Sequence, residues 1–183
     1  YQVVNSAQMV AALTTNTVDV GAPSGTQANI DEIGRAGHLS TKEIDTNGYG
    51  YVGINARLVP DYNVRKAIMQ AMNTSLILNY YPAGSCQRIF WPMSTTSWAY
   101  PDDGRVNPYY QLRTADEILA DLIAAGYRQR FDKDGTLIDL GKEDETGTWK
   151  ALTYTFTIPG TSNDHPANVM FETAAQTLNS IGF

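Results

Sequence analysis

Cysteine is almost missing: Cys86 is the single one in 183 residues. That excludes an internal disulfide and any cysteine-based zinc cluster. It does not fix a compartment, because exported bacterial proteins also tend to avoid cysteine. Positive charge is scarce too, with 13 Lys+Arg against 19 Asp+Glu and a formal net charge of -6. No Lys/Arg cluster offsets this locally, so the field that nucleic acid or an anionic lipid surface requires is lacking. Long apolar runs are absent as well; Leu76-Ile77-Leu78 is broken by Asn79 and Pro82, far short of the ~20 residues that span a bilayer. The two histidines, His38 and His165, share no ligand-like spacing with Cys86, so neither a metal nor another cofactor is expected.

What is present suits one folded unit. Hydrophobic residues make up 43%, enough for a core, and the length lies within the usual ~50–250 residues of a single domain. The chain opens Tyr1-Gln2-Val3-Val4-Asn5, neither an initiator Met nor a charged segment leading into an apolar signal core. An upstream segment, removed or never included, is therefore expected.

Along the chain, Ser6 is placed to cap a short helix through Val10 and Leu13, and Thr17-Val18-Asp19-Val20 reads as a strand. Residues 27–36 read as a helix ending at Gly37. Leu39–Thr46 and Tyr49–Asn55 flank the Asn47-Gly48 turn signal and predict a hairpin. From Asp61, an N-cap, the apolar residues Val64, Ala67, Ile68, Ala71 and Met72 recur at helical spacing. A second helix is expected after Asn73-Thr74. Thr114-Ala115-Asp116-Glu117 is a capping box opening a helix that stops at Gly126. Asp132-Lys133-Asp134-Gly135 marks a tight turn between two strands, Trp149–Ile158 alternates as a strand, and a last helix carries Met170, Phe171, Ala174, Leu178 and Ile181 on one face.

Catalytic and cofactor motifs fail in context. Gly48-Tyr49-Gly50-Tyr51-Val52-Gly53 has the spacing of a dinucleotide fingerprint, but that motif must open a helix, and the residues that follow read as extended. In an EF-hand register around Asp132 and Asp134, Arg130 takes the first ligand position and Gly141 the last, where a glutamate is needed. There is no Gly-x-Ser-x-Gly elbow. A Cys86–His165 pair competes with the commoner role of a lone cysteine as a small buried hydrophobe. Asp102-Asp103, beside Trp98 and Tyr100, leaves a glycoside hydrolase open as an alternative, although a solvated Pro-Asp-Asp-Gly turn accounts for the same residues. Asn73-Thr74-Ser75 is a formal glycosylation sequon for which helix capping is the simpler reading.

The stretch 80–110 is unusually aromatic for a loop, with Phe90, Trp91, Trp98 and Tyr100 between two tyrosine pairs. Such rings supply rigid contact area with a polar handle, which suits a varied ligand. Packing under the loop, or docking of a protein partner on it, would use the same residues.

The order of features resembles the family 5 bacterial extracellular solute-binding proteins, the oligopeptide- and dipeptide-binding subunits of ABC importers. The likeness rests on Tyr51-Val52-Gly53-Ile54-Asn55, Pro60-Asp61-Tyr62-Asn63-Val64-Arg65-Lys66-Ala67-Ile68, Ala71-Met72-Asn73, Leu76-Ile77, Ser97-Trp98-Ala99-Tyr100, Leu122-Ile123-Ala124-Ala125-Gly126-Tyr127 and Leu178-Asn179-Ser180-Ile181-Gly182. It covers roughly residues 7–183. Asn73-Thr74 stand where the family usually has Asp-Arg, a change an Asn cap can absorb.

The resemblance implies an α/β fold: one lobe of a type II periplasmic-binding-protein-like receptor, with a mixed sheet flanked by helices. The match is to the later lobe, so the expected parent has another lobe before it and a return segment after it. It further implies a monomeric, non-enzymatic, extracytoplasmic receptor, lipid-anchored in its full-length form. Such a receptor closes around a peptide or related small solute and delivers it to a membrane permease. Arg65 is expected to tie its helix to neighbouring backbone. The expected ligand contacts are Tyr49 and Tyr51, Trp91, and Ser162, Asn163 and His165 in the loop after the last strand, where crevices of open α/β sheets lie.

Overall fold

The computed structural model describes residues 4–101, 103–105, 111–158 and 165–183. A 3-10 turn, Ser6–Gln8, leads into α1 (Met9–Thr14), and α2 spans Gln27–Ala36. The first cap is Asn5, not Ser6: its side chain accepts from Ala7 N at 3.0 Å. Buried Val10 and Leu13 of α1 and Ile33 of α2 form an apolar contact outside the main core cluster. Thr17–Val20 is not a strand, since among the described residues no partner strand lies beside it and Val20 stands in solvent.

The main core lies further on. Helix α3 (Tyr62–Ala71) begins at Asp61, whose side chain accepts from Asn63 N at 2.8 Å. A short α4 (Ser75–Leu78) follows, with Asn73 accepting from Ser75 N at 3.2 Å, so the sequon asparagine acts locally. Helix α5 (Ala115–Ala124) starts on the complete capping box of Thr114 and Glu117, worth about 1 kcal/mol over alanine. It ends near Gly126, whose φ of 88° a glycine adopts without penalty. Strands β1 (Arg128–Phe131), β2 (Leu137–Glu143) and β3 (Trp149–Ala151) form an antiparallel sheet in the order β1-β2-β3, with a bulge at Arg130/Phe131. Helix α6 (Asn168–Ser180) closes the described fold.

The turn between β1 and β2 forms as the sequence predicts. Asp132 Oδ1 accepts from Asp134 N and Thr136 N, both at 2.8 Å, so its carboxylate serves the loop backbone. Helix α3 packs between α5 and α6. Val64, Ile118, Leu122, Leu140, Met170 and Leu178 meet at the centre, each burial of this kind contributing about 1.5–3 kcal/mol. The expected α/β class holds, with helices packed against an antiparallel sheet.

Two expected strands are shorter or missing. The hairpin over 39–55 does not form, because residues 41–51 are exposed throughout and offer no apolar face to hold a two-stranded ribbon. The strand from Trp149 ends at Ala151, and Leu152 N then donates to Leu140 O at 2.8 Å. Beyond it the predicted alternation persists without a ladder: Leu152, Tyr154 and Phe156 pack on the core while Thr153, Thr155 and Thr157 are exposed. Val52 and Ile54 show the same one-sided anchoring in the segment after Gly48.

Candidate ligand-binding surface

Anchoring of Val52 and Ile54 on the core turns the odd-numbered neighbours outward. Tyr51 flanks these anchors and Tyr49 precedes it in the exposed run 41–51; they are 83% and 44% exposed, with ring centroids 6.3 Å apart and planes tilted by 54°. The two rings offer exposed aromatic area with a hydroxyl on each. The glycines of the fingerprint-like run open no helix, since the next one starts only at Tyr62. The dinucleotide reading has no structural support.

The aromatic loop is tied to the foot of this segment by hydroxyls. Buried Ser94 donates through Oγ to Thr46 O at 3.0 Å, and Thr96 Oγ1 donates to Asn47 Oδ1 at 2.5 Å. Trp91, half-buried, donates from Nε1 to Arg105 O at 3.3 Å and so braces its own loop. Trp98 projects fully, 97% exposed. Two stretches separated by some fifty residues thus present Tyr49, Tyr51 and Trp98 from one hydroxyl-stitched region. Ser94 and Thr96 were not singled out from the sequence; the hydroxyl run Ser94-Thr95-Thr96 inside an aromatic loop is the signal that could have marked them.

Ser162 and Asn163 lie outside the described residues. His165 accepts at Nδ1 from Ala167 N at 3.2 Å, and its backbone carbonyl accepts from Asn168 N, so it organises the entry to α6. A groove of about 430 Å3 runs between residues 153–158 and α6, lined by Tyr154, Phe156, Phe171 and Phe183 with Asn168 and Glu172 at its polar edge. Burial raises the Tyr154 phenol above its ordinary value.

Groups with catalytic potential are engaged otherwise. Asp102 lies outside the described residues, and Asp103 pairs with Arg105 Nε at 2.6 Å, which lowers its pKa from the ordinary carboxylate value. A general acid needs the opposite shift. Burial pushes the Cys86 thiol up, away from a reactive thiolate. No group of three His, Cys, Asp or Glu that could hold a metal ion occurs among the described residues. Arg65 behaves as expected of a structural residue, with Nη1 donating to Val59 O at 2.8 Å and Pro60 O at 2.7 Å. Among the described residues no helix is long and apolar enough to cross a membrane.

The described residues thus form an α/β unit that carries outward-facing aromatics. The model of the bacterial extracellular solute-binding proteins, family 5 (middle), matches residues 1–183, and the chain belongs to that family. It is thus a solute-binding domain of an ABC importer system, of a family that works outside the cytoplasm. No curated protein and no solved structure matches the chain.

Proposed function

We propose that this chain forms one ligand-facing lobe of a receptor that captures peptides, or a closely related small solute, and presents them to a membrane permease. The observation that carries the reading is the pairing of exposed Tyr49 and Tyr51 directly before Val52 and Ile54, which pack on the core. Rings held on a rigid base lose little freedom on binding, and they accept varied side chains while their hydroxyls meet backbone groups. The neutral Ser94, Thr96 and Asn47 groups beside them favour a ligand read through hydrogen bonds over a strongly charged one. Trp91, Ser162, Asn163 and His165 belong to the same proposed surface, with His165 acting through the start of α6. The parent is proposed to be a monomeric, lipid-anchored, two-lobed receptor in which this lobe is followed by a return segment.

Thermal unfolding of the intact receptor with a panel of di- to pentapeptides tests this. A saturable rise in Tm is expected with peptides, reduced by Tyr49→Ala and Tyr51→Ala together. No rise with any peptide, alongside a rise with a sugar, would assign a different solute class. The lobe alone is expected to bind weakly, since a cleft closed from two sides loses half its contacts when one side is removed.

A further inference from the structure

Residues 41–51 are exposed throughout, so no buried side chain holds this strap in place before Val52 packs on the core. Hydrogen bonds hold it instead, and among the described residues all those that join residues 39–51 to a distant part of the chain come from Ser94 and Thr96. Ser94 is only 8% exposed, and its Oγ donates to Thr46 O at 3.0 Å. The Thr96 hydroxyl lies 2.5 Å from Asn47 Oδ1 and 3.3 Å from Thr46 O, and with a single proton to give it serves the nearer acceptor. Ser94 Oγ in turn accepts from Thr96 N at 3.3 Å, which fixes the two hydroxyls relative to each other. Thr95, between them, accepts from Gln87 Nε2 at 2.8 Å instead. The backbone then makes two turns, Ser97 N donating to Ser94 O and Tyr100 N to Ser97 O, both at 3.0 Å, with Trp98 inside the second.

Tyr49 stands two residues beyond Asn47, and Trp98 two residues beyond Thr96. A residue advances the chain by at most about 3.6 Å, so each lies within about 7 Å of backbone from the bonded pair. We propose that Ser94 and Thr96 are positioning residues of the ligand surface. Their hydroxyls clamp the tyrosine strap to the tryptophan loop, so that Tyr49, Tyr51 and Trp98 meet a ligand as one preorganised platform. This inference rests on the receptor reading above and deepens it. The effect is entropic: a free strap would have to be ordered by the ligand itself, which lowers affinity. Neither the strap nor the turn after Ser94 belongs to the core cluster, so the clamp orders the surface without supporting the core.

Backbone amide order parameters of the isotope-labelled 183-residue chain test the clamp without a ligand. In the wild type, Tyr49, Tyr51 and Trp98 are expected near the rigid value of about 0.85; with Ser94→Ala and Thr96→Val combined, Tyr49 and Tyr51 should fall below about 0.6 while Trp149 in the sheet stays rigid. Thr96→Ser, which keeps the hydroxyl, should leave the strap ordered. If the double variant does not fold, Thr96→Val alone is read in the same way. Tyr49 and Tyr51 equally ordered with and without the hydroxyls would overturn the proposal. Binding supplies the second arm, in the intact receptor with a peptide that raises Tm. Thr96→Val should weaken it roughly three- to tenfold with Tm unchanged, and Thr96→Ser should restore it. In a Trp98→Ala background the same change should cost less, because one of the rings it positions is already gone. An equal loss in both backgrounds would make the clamp structural and overturn the positioning role. Failure of every peptide to raise Tm would remove the receptor reading, and the order parameters would still decide the clamp.

Discussion

Tyr127 Oη donates to Asp61 Oδ2 at 2.8 Å, joining the turn after α5 to the cap of α3 across 66 positions of sequence. Lys142 Nζ reaches the same oxygen at 2.5 Å and sits 4.4 Å from the centre of the Tyr127 ring. One carboxylate therefore caps a helix, receives a phenol and pairs with an ammonium on β2. Burial on its own would raise the Asp61 pKa, but the hydrogen bonds from Lys142, Tyr127 and Asn63 outweigh it and hold the group at about 2. Burial and the bond to Asp61 push Tyr127 up to about 12, and the same pairing raises Lys142.

The pH dependence of stability follows in sign. Asp61 is depressed in the folded state, so its contribution is complete above the unfolded carboxylate value and is lost as pH falls from about 4 toward 2. Asp61→Asn should flatten that part of the acid unfolding curve by roughly 1–2 kcal/mol, partial solvent screening included. Denaturant titrations at pH 6, 4 and 2.5 check it. An unchanged acid slope in the variant would place the acid sensitivity elsewhere.

Gly182 and Gly34 should respond to alanine with opposite signs. Leu140 N donates to Gly182 O at 2.6 Å, and a Cβ at Gly182, with φ at 104°, would lie 2.8 Å from backbone atoms of Asp139 and Leu140. Gly182→Ala is expected to cost about 2–4 kcal/mol, a Tm loss on the order of 10 °C. Gly34 sits exposed within α2 with no atom near a new Cβ, so Gly34→Ala should stabilise by about 0.5–1 kcal/mol. Calorimetry of the two variants checks both.

Neighbouring positions on α5 separate core from surface. Leu122 is fully buried against α3 and α6, whereas Ile123 faces solvent. Leu122→Ala should cost about 2–5 kcal/mol and Ile123→Ala no more than about 0.5 kcal/mol, both read from urea midpoints.

Trp98→Ala and Tyr51→Ala should reduce ligand affinity in the intact receptor by several-fold without lowering Tm, because neither ring is packed in the core. Calorimetric titration with a peptide that raises Tm supplies the reading. Loss of Tm in step with affinity would make these rings structural.

Helices were legible in the sequence because their signals are local. The capping box at Thr114 and the spacing of Val64, Ala67 and Ile68 each lie within a turn or two of what they determine. Strands were legible only where the partner was close, as in the turn at Asp132. Thr17–Val20 and 39–55 have β-branched or alternating residues but no neighbour to pair with, and pairing cannot be read from one strand. The site divides the same way. Exposed tyrosines could be named singly, but the bonds from Ser94 to Thr46 and Thr96 to Asn47 span 48 and 49 positions and leave no local trace.

The three tryptophans have optical consequences. Trp149 lies under two guanidinium groups, with Arg130 Cζ at 4.5 Å and Arg128 Cζ at 5.2 Å from its ring centre, and its Nε1 is directed at Asp139 at 3.4 Å. Trp98 emits as an indole in water. Iodide should therefore quench Trp98 first, while emission from Trp149 follows the integrity of the β1–β2 hairpin. Of the three native tryptophans, Trp98 thus reports on the exposed aromatic loop and Trp149 on the sheet, so both can be followed in a single cuvette without a label.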